Sequence, residues 1–416
     1  MERTLARDLR LHVGARVRLA GWLHHQRRLS RVSFLLLRDR SGVAQAVLEE
    51  PVDLVPESVL ELEGEVVGNA NAPGGVELHN VELRVLSEPA EPPPVELRRP
   101  RLKEQLPTIL DHAPVALRHP RERAKFQIAA ASVAGFRAAL DGLGFTEIQT
   151  PKIVVSATET GASLFRLDYF GREAYLAQSP QFYKQMLVGV FERVYEVGPV
   201  FRAEPHDTGR HLAEYVSLDA EIGFVEGLDD VTSVAREAIA GMVEGVRARA
   251  AGAVELLRVG LPDVPEEIPV IHFSDTGVDD VDLAPADERR LCDWALREHG
   301  SEFLFVVGYP MEKRPFYTHP EPGRPELSWG FDLLFRGLEV ITGGRRLHRY
   351  EDYVAALQAR GEPLEPYEGY LEGFKYGLPP HGGFALGLER WTARLVGAAN
   401  IRETTLFPRD RNRLTP

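Results

Sequence analysis

Cysteine and methionine are scarce in this chain of 416 residues, which has 1 cysteine and 4 methionines. The single cysteine, Cys292, excludes an internal disulfide framework and any cluster of thiolate ligands around a metal, so we expect it in the hydrophobic core. No apolar run approaches the roughly 20 residues that span a bilayer, and the first residues lack the basic-then-apolar order of a secretion signal. These absences predict a cytoplasmic protein with no membrane segment.

Positive charge is also in deficit, with 49 Lys and Arg residues against 62 Asp and Glu and a formal net charge of −13. This balance argues weakly against nucleic-acid binding, but phosphate contacts depend on local basic residues and not on the whole chain. Basic clusters occur near Arg27, Arg98 and Arg118. Such clusters are more often solvated surface than contacts, so charge alone leaves the question of a nucleic-acid partner open.

Five short, β-prone segments fill residues 1–90, separated by turn sequences such as 38–42 and 69–75. Strands of this number and length suit a small closed barrel of the OB type, although patterning does not separate it from another five-stranded β-domain. The segments lie at residues 17–23, 32–37, 43–48, 60–67 and 76–86.

The proline-rich stretch 88–94 ends this domain, because it suits neither a strand nor a helix interior. Farther on, apolar residues spaced three and four apart predict a helix from Phe126 that ends near residues 142–144, and another helix runs from Asp230 to about Arg249. Helices and strands do not alternate regularly there, which favours an α+β domain around an antiparallel sheet flanked by helices. We therefore divide the chain into a β-domain (1–90), a linker or hinge (91–125) and an α+β domain (126–416).

Two segments of the α+β domain suit the binding of a nucleotide. In residues 201–211, Arg202 leaves a strand beside a loop rich in His and Arg, where its guanidinium would clamp phosphate; an ion pair with Glu204 is the alternative. In residues 382–390, a glycine-rich loop, whose backbone can approach a nucleotide closely, runs into an apolar helix that carries Arg390 on its first turn. The second segment fits neither the P-loop nor the dinucleotide fingerprint.

In this order, the two segments resemble motifs 2 and 3 of class II aminoacyl-tRNA synthetases, and residues 144–151 resemble motif 1. In that class, motif 1 forms the interface of a homodimer around its proline, here Pro151. The C-terminal residues 406–410 and 413–416 resemble the aspartyl and asparaginyl branch, whose anticodon-binding OB domain corresponds to our N-terminal β-domain. The resemblance covers essentially the whole chain, and it implies an enzyme that uses ATP, an amino acid and tRNA.

Residues 178–185 resemble the segment of aspartyl-tRNA synthetases that binds the amino acid. The resemblance implies that Lys184 meets the side-chain carboxylate of L-aspartate, that Gln181 approaches its amino group and that Asp219 orients Lys184 from a neighbouring strand. Two desolvated cations, Lys184 and Arg346, favour an anionic substrate, and a site built for a polar group rejects an analogue that lacks it by about 10⁴–10⁵. Asparaginyl members usually lack the lysine.

Residues 331–346 match the region of the family that holds Mg²⁺ and ATP. Here Glu339 and Thr342 are the predicted metal ligands, since a carboxylate and a hydroxyl form a normal partial shell for Mg²⁺, and Arg346 is the predicted clamp on the β-carboxylate. Many relatives have serine in place of Thr342 and glycine in place of Ala385. Residues 156–163 resemble a loop that closes over aspartate, with Glu159 receiving the ammonium group.

The resemblance also assigns the remaining residues of the predicted active site. Arg202, Glu339 and Arg390 are the predicted catalytic residues, and Arg202 and Thr342 also belong to the predicted aspartate site. The residues predicted to contact ATP are Arg202, Glu204, Arg210, His211, Leu212, Glu339, Gly387, Leu388, Glu389 and Arg390.

The segment between residues 224 and 331 is too short for the extra domain of bacterial-type aspartyl enzymes, which indicates the archaeal and eukaryotic type. Within that type, His24 and Pro73 match non-discriminating members, which aspartylate both tRNA-Asp and tRNA-Asn. Phe34 and Gln45 are predicted to meet the anticodon, Phe34 by stacking on a base. Three alternatives remain: an asparaginyl-tRNA synthetase, a paralogue that makes a free amino acid, and a catalytically inactive RNA-binding module.

Overall fold

The computed structural model describes residues 1–155, 164–205 and 208–416. The chain forms two compact units, Met1–Pro120 and Arg121–Thr415. In the part of the chain that the structure describes, no helix is long and apolar enough to cross a membrane. Cys292 is buried, as expected for a core residue.

The N-terminal unit contains a closed barrel in the order β1-β2-β3-β5-β4, so the predicted barrel is confirmed. Its core consists of side chains that alternate along the strands, such as Leu35 and Leu37. Strand β1 reaches Arg28 rather than ending at Leu23, because it pairs with β4 over its first half and with β2 over its second. The strands are β1 (Arg16–Arg28), β2 (Ser33–Arg38), β3 (Val43–Leu48), β4 (Val59–Gly68) and β5 (Val76–Ser87).

Helices α1 (Leu106–Asp111) and α2 (Ala113–Ala116) follow the barrel within the same unit. Val95, Leu97 and Ala116 form a small apolar core there. His119 Nε2 lies 2.9 Å from the carbonyl oxygen of Arg99 and donates to it. The role of residues 91–125 as a hinge stays a prediction.

The second unit is built on one sheet in the order β12-β13-β16-β17-β18-β11-β10-β6. Its inner pairs are antiparallel, and parallel pairing occurs at its two edges, between β12 and β13 and between β6 and β10. The predicted α+β domain with an antiparallel sheet is therefore confirmed. The strands are β6 (Thr146–Glu147), β7 (Ile153–Val154), β8 (Arg166–Tyr169), β9 (Arg172–Leu176), β10 (Arg193–Phe201), β11 (Glu214–Gly223), β12 (Val270–His272), β13 (Phe303–Val307), β14 (Pro320–Glu321), β15 (Arg324–Ser328), β16 (Gly330–Phe335), β17 (Leu338–Arg345) and β18 (His381–Gly387).

Helices cover this sheet and complete its hydrophobic core. The indole of Trp391 stacks on Phe335 with ring centroids 5.1 Å apart, and α3 packs closely on α5, where a Cβ on Gly135 would lie 2.1 Å from the carbonyl oxygen of Gly241. The helices are α3 (Pro120–Gly142), α4 (Gln181–Phe191), α5 (Leu228–Arg249), α6 (Ala251–Leu257), α7 (Pro285–His299), α8 (Tyr350–Ala359), α9 (Glu368–Lys375) and α10 (Leu388–Val396).

Candidate active site

The register of β17, β18 and β11 brings together segments that are far apart in the sequence. Thr342 pairs with Ala385, and Ala385 pairs with Asp219. Side chains at paired positions of neighbouring strands point to the same face of a sheet. One face of these three strands therefore carries Thr342, Ala385 and Asp219, which come from three separate segments of the sequence.

A cavity opens on this face, and nearly all the predicted ATP residues line it. Leu388 is not among the lining residues, because its side chain packs against the main hydrophobic core from the start of α10. The other predicted residues in the lining are Arg202, Glu204, Arg210, His211, Leu212, Glu339, Gly387, Glu389 and Arg390.

The glycine-rich segment before Arg390 is a strand and not a loop, which corrects the sequence interpretation. Residues 381–387 form β18 between β17 and β11. A Cβ on Gly383 would lie 2.1 Å from a carboxylate oxygen of Glu221 and 2.2 Å from the carbonyl oxygen of Ala220. Gly383 therefore makes room for a buried carboxylate, whereas Gly387 lines the cavity.

Three arginines line the cavity, and two of them, Arg390 and Arg210, are held by carboxylates. Arg390 Nη1 lies 3.4 Å from Glu339 Oε2, and Arg210 Nη2 donates to both carboxylate oxygens of Glu288 at 2.8 Å. Burial raises the pKa of Glu339 to about 7, although Arg390 opposes this shift. Such paired guanidinium groups suit the binding of phosphate.

The cavity lining also contains an acid–histidine pair and an arginine that lies over an aromatic ring. Glu204 Oε2 lies 3.5 Å from His211 Nε2, and the guanidinium of Arg202 lies over the ring of Tyr215, 5.8 Å from its centroid. Burial raises the pKa of Glu389 to about 7. The backbone amide of Val216 donates to this carboxylate and opposes the rise without cancelling it.

The predicted metal ligands, Glu339 and Thr342, line the same cavity. Arg314, which sequence reasoning missed, donates to both oxygens of Asp332 at 3.3–3.4 Å and to the Thr342 hydroxyl at 3.3 Å. Across the described ranges, no three or more His, Cys, Asp or Glu side chains are placed to hold a metal ion. The oxygen donors fit an ion that takes its other ligands from phosphate and water, as Mg²⁺ does.

Beside the cavity, Lys184 and Arg346 are buried with two carboxylates. Lys184 Nζ lies 2.9 Å from Asp219 Oδ1 and 3.3 Å from Glu221 Oε2. Arg346 Nε donates to Glu221 Oε1 at 2.9 Å. Spacing by four residues along α4 places Gln181 on the same helix face as residue 185, next to Lys184.

The two carboxylates therefore neutralise Lys184 and Arg346 without a substrate anion. This corrects the sequence argument, in which the two desolvated cations favoured an anionic substrate. Burial alone would raise the pKa of Glu221, but Arg346 and Lys184 outweigh it and the pKa lies below its ordinary value. Sequence reasoning assigned Asp219 and missed Glu221. The signal was present, because residues two apart on a strand point to the same face.

Three further predictions concern Gln181, Glu159 and Pro151. Gln181 Oε1 lies 3.5 Å from Arg346 Nη2. Glu159 and the predicted closing loop 156–163 lie outside the described residues. Pro151 is exposed between β6 and β7.

The predicted anticodon residues lie on the barrel of the N-terminal unit. Gln45 pairs with Leu36, two residues after Phe34, so Phe34 and Gln45 share the outer face of adjacent strands. His24 sits at a bulge of β1, and its Nδ1 lies 3.2 Å from Arg38 Nη1. Pro73 begins a short 3₁₀ turn, Pro73–Gly75, in the β4–β5 connection.

Comparisons with known proteins agree with this geometry. Residues 105–411 match the family model of class II tRNA synthetases (D, K and N), and residues 17–86 match the OB-fold nucleic acid binding domain. The chain therefore belongs to the class II aminoacyl-tRNA synthetases, enzymes that use ATP to join an amino acid to tRNA.

Curated relatives place the chain more narrowly. It is 48% identical to the aspartate–tRNA(Asp/Asn) ligase of Thermus thermophilus, with 100% of both chains covered, and 47% identical to that of Deinococcus radiodurans, with 100% of this chain and 99% of the relative covered. The chain belongs to the aspartate–tRNA ligase family. An asparaginyl-tRNA synthetase from Pyrococcus horikoshii with bound asparaginyl-adenylate has the same fold, with a TM-score of 0.93, 31% identity and full coverage of both chains.

Proposed function

We propose that this chain activates L-aspartate with ATP and transfers it to tRNA-Asp and tRNA-Asn. The observation that supports this proposal best is the buried group of Lys184, Arg346, Asp219 and Glu221 beside the arginine-lined cavity. An amino acid in the buried group would lie next to a nucleotide in the cavity. The α-carboxylate of aspartate then attacks the α-phosphorus of ATP, pyrophosphate leaves, and aspartyl-adenylate remains.

The protein supplies alignment and charge in this step rather than a nucleophile. Arg202 holds the α-phosphate and touches the attacking carboxylate, and Arg390 holds the γ-phosphate. Arg210, His211 and Glu204 contact the nucleotide. Glu339 and Thr342 would hold Mg²⁺, which supplies positive charge to the phosphates when bound.

The choice of aspartate rests on Arg346. Its Nε and Nη2 atoms bond to Glu221 and to the carbonyl oxygen of Gly383, while Nη1 has no hydrogen-bond acceptor among the residues that the structure describes. A β-carboxylate would accept a hydrogen bond from this nitrogen and would be attracted by the neighbouring positive charge of Lys184. The amide of asparagine is neutral, so its oxygen would accept a weaker hydrogen bond than a carboxylate does, and its NH₂ group can only donate.

Relaxed reading of the anticodon rests on His24 and Pro73. The genetic code makes the anticodons of tRNA-Asp and tRNA-Asn differ by one pyrimidine, cytosine or uracil. Because a guanidinium only donates hydrogen bonds, Arg38 requires Nδ1 of His24 to accept, so the ring presents a donor at Nε2. Both pyrimidines carry a carbonyl oxygen that accepts from a single donor, so His24 does not separate them.

We further propose a homodimer through the segment around Pro151. The exposed apolar side chains of Ile153 and Val155, 48% and 82% exposed, follow this proline. Light scattering coupled to size exclusion tests the dimer. A monomer at micromolar concentration would contradict it.

Charging of tRNA-Asp and tRNA-Asn transcripts with radiolabelled aspartate tests the function, with asparagine as the control amino acid. We expect aspartate on both tRNAs. A preference for tRNA-Asp above ~10³, about 4 kcal/mol, would refute the relaxed anticodon reading and retain the activity. Charging with asparagine would refute the proposed role of Lys184 and Arg346.

A further inference from the structure

Behind Gln181 lies a buried group of polar side chains to which the proposed reaction assigns no role. Gln185, Tyr353 and His381 are each 0% exposed. They come from α4, α8 and β18, and Tyr370 from α9 joins them. A buried polar network is costly unless its hydrogen bonds are satisfied, so the direction of each bond can be worked out.

Two backbone carbonyl groups set the direction, because a carbonyl oxygen can only accept. The hydroxyl of Tyr353 donates its one proton to the carbonyl oxygen of Leu347 at 2.7 Å. His381 Nδ1 lies 2.9 Å from the carbonyl oxygen of Pro379 and donates to it. Burial lowers the pKa of His381 to about 4, so the ring is neutral at pH 7 and its Nε2 is an acceptor.

These two acceptors orient the amide of Gln185. Its Nε2 lies 2.9 Å from the Tyr353 oxygen and 3.0 Å from His381 Nε2, and it donates to both. The opposite orientation would place the Gln185 oxygen against two acceptors. Gln185 Oε1 therefore faces the other way, where it accepts from the Tyr370 hydroxyl at 3.0 Å.

The amide of Gln181 is oriented in turn. Its Nε2 donates to Gln185 Oε1 at 2.9 Å, so its own oxygen must point away from the network. That oxygen lies 3.5 Å from Arg346 Nη2, at the proposed amino-acid pocket. An ammonium group has only protons to give, and an oxygen at this place suits it.

We propose that Gln185, Tyr353 and His381 are positioning residues that hold Gln181 with its oxygen toward the ammonium group of the amino acid. This inference rests on the proposed function, since it assumes that Gln181 meets the amino group. The network excludes the reversed amide, which would present an NH₂ group to an ammonium ion. It therefore improves the binding of the amino acid without touching the substrate.

Binding of L-aspartate and of succinate, which lacks the amino group, tests the inference on the full-length protein. Gln185→Met keeps the size of the side chain and removes the acceptor for Gln181. We expect the Kd of aspartate to rise about 10–100-fold, as for loss of a hydrogen bond to a charged group, and the Ki of succinate against pyrophosphate exchange to change by less than about threefold. A purely structural role would weaken both ligands in equal proportion.

Two further variants keep the test decisive. Tyr370→Phe removes a hydroxyl that bonds to the same Gln185 oxygen without setting its direction, and we expect it to leave the ratio of the two constants unchanged. Tyr353→Phe removes one orienting acceptor and should shift the ratio in the same sense as Gln185→Met by a smaller factor. An unchanged ratio in both folded orienting variants would overturn the inference, whereas a wild-type protein without aspartate-dependent exchange would overturn the proposed function itself.

Discussion

Removal of Lys184 alone should destabilise the protein, and removal of Lys184 together with Asp219 should restore much of the loss. The two side chains are each 1% exposed and lie 2.9 Å apart. Lys184→Met leaves the carboxylate of Asp219 buried without the ammonium group that neutralises it, near a second carboxylate, Glu221, which keeps Arg346 as its cation. In Lys184→Met/Asp219→Asn, one positive and one negative charge are lost together, so the pocket keeps its balance.

The magnitude follows from the burial of the pair. Breaking a buried ion pair on one side costs about 3–5 kcal/mol, whereas replacing both partners with neutral groups is often nearly neutral. For a unit of this size, each kcal/mol lowers Tm by about 2 °C. We therefore expect Lys184→Met to lower Tm by about 6–10 °C and the double variant to recover at least half of that loss.

Thermal unfolding and aspartate-dependent pyrophosphate exchange should be measured on the same preparations. Lys375→Met is the matched control, because Lys375 is exposed on α9 and its ammonium group lies 5.3 Å from the centroid of the Tyr350 ring, and we expect a change below about 1 kcal/mol. The double variant should be folded but deficient in exchange, since it lacks the proposed partner of the β-carboxylate. A double variant no more stable than Lys184→Met would refute the reasoning on the ion pair.

Three shorter predictions follow from other parts of the structure. Gly383→Ala should destabilise the protein by about 2–4 kcal/mol, because its Cβ would overlap a carboxylate oxygen of Glu221 at 2.1 Å, whereas Gly142→Ala, with nothing within 4 Å, should not; equal unfolding temperatures would contradict this. Burial lowers the pKa of His24 and Arg38 lowers it further, so the ring is neutral above its ordinary pKa and the ratio of tRNA-Asp to tRNA-Asn charging should be constant between about pH 7 and 8; a ratio that changes across this range would count against a neutral ring. Phe34→Ala should weaken tRNA binding by about 1–3 kcal/mol through loss of base stacking and leave pyrophosphate exchange unchanged; filter binding that shows equal affinity would exclude the stacking role.

The fold was predictable where a regular pattern of apolar residues decides the structure. Strand β3 matches its predicted limits, Val43–Leu48. Helix α5 ends at Arg249 as predicted and begins at Leu228 rather than at Asp230. Each of these elements buries one face in the hydrophobic core of its own unit, so the period of its apolar residues predicts its type and its limits.

The candidate site was predictable only in part, because pairing between distant segments determines its electrostatics. Glu221 lies two residues after Asp219, which was assigned a role. The partner of Glu221, however, is Arg346, which directly follows β17. Gly383 was taken as a place where backbone approaches a nucleotide, and the structure shows that it faces Glu221. Neither contact is encoded by local spacing, since both depend on the order of β17, β18 and β11 in the sheet.

The choice between aspartate and asparagine must come from a few buried polar contacts, because the scaffold does not differ. The asparaginyl enzyme of Pyrococcus horikoshii shares the fold with a TM-score of 0.93 at 31% identity. Discrimination by a factor of about 10⁴ requires about 5.5 kcal/mol, which one or two desolvated, charge-assisted contacts can supply. Lys184 and Arg346 are buried cations in the proposed pocket. Because Asp219 and Glu221 already balance their charge, we propose that selectivity depends on donor geometry at Arg346, and a variant that shifts this guanidinium should lose selectivity before it loses binding of ATP.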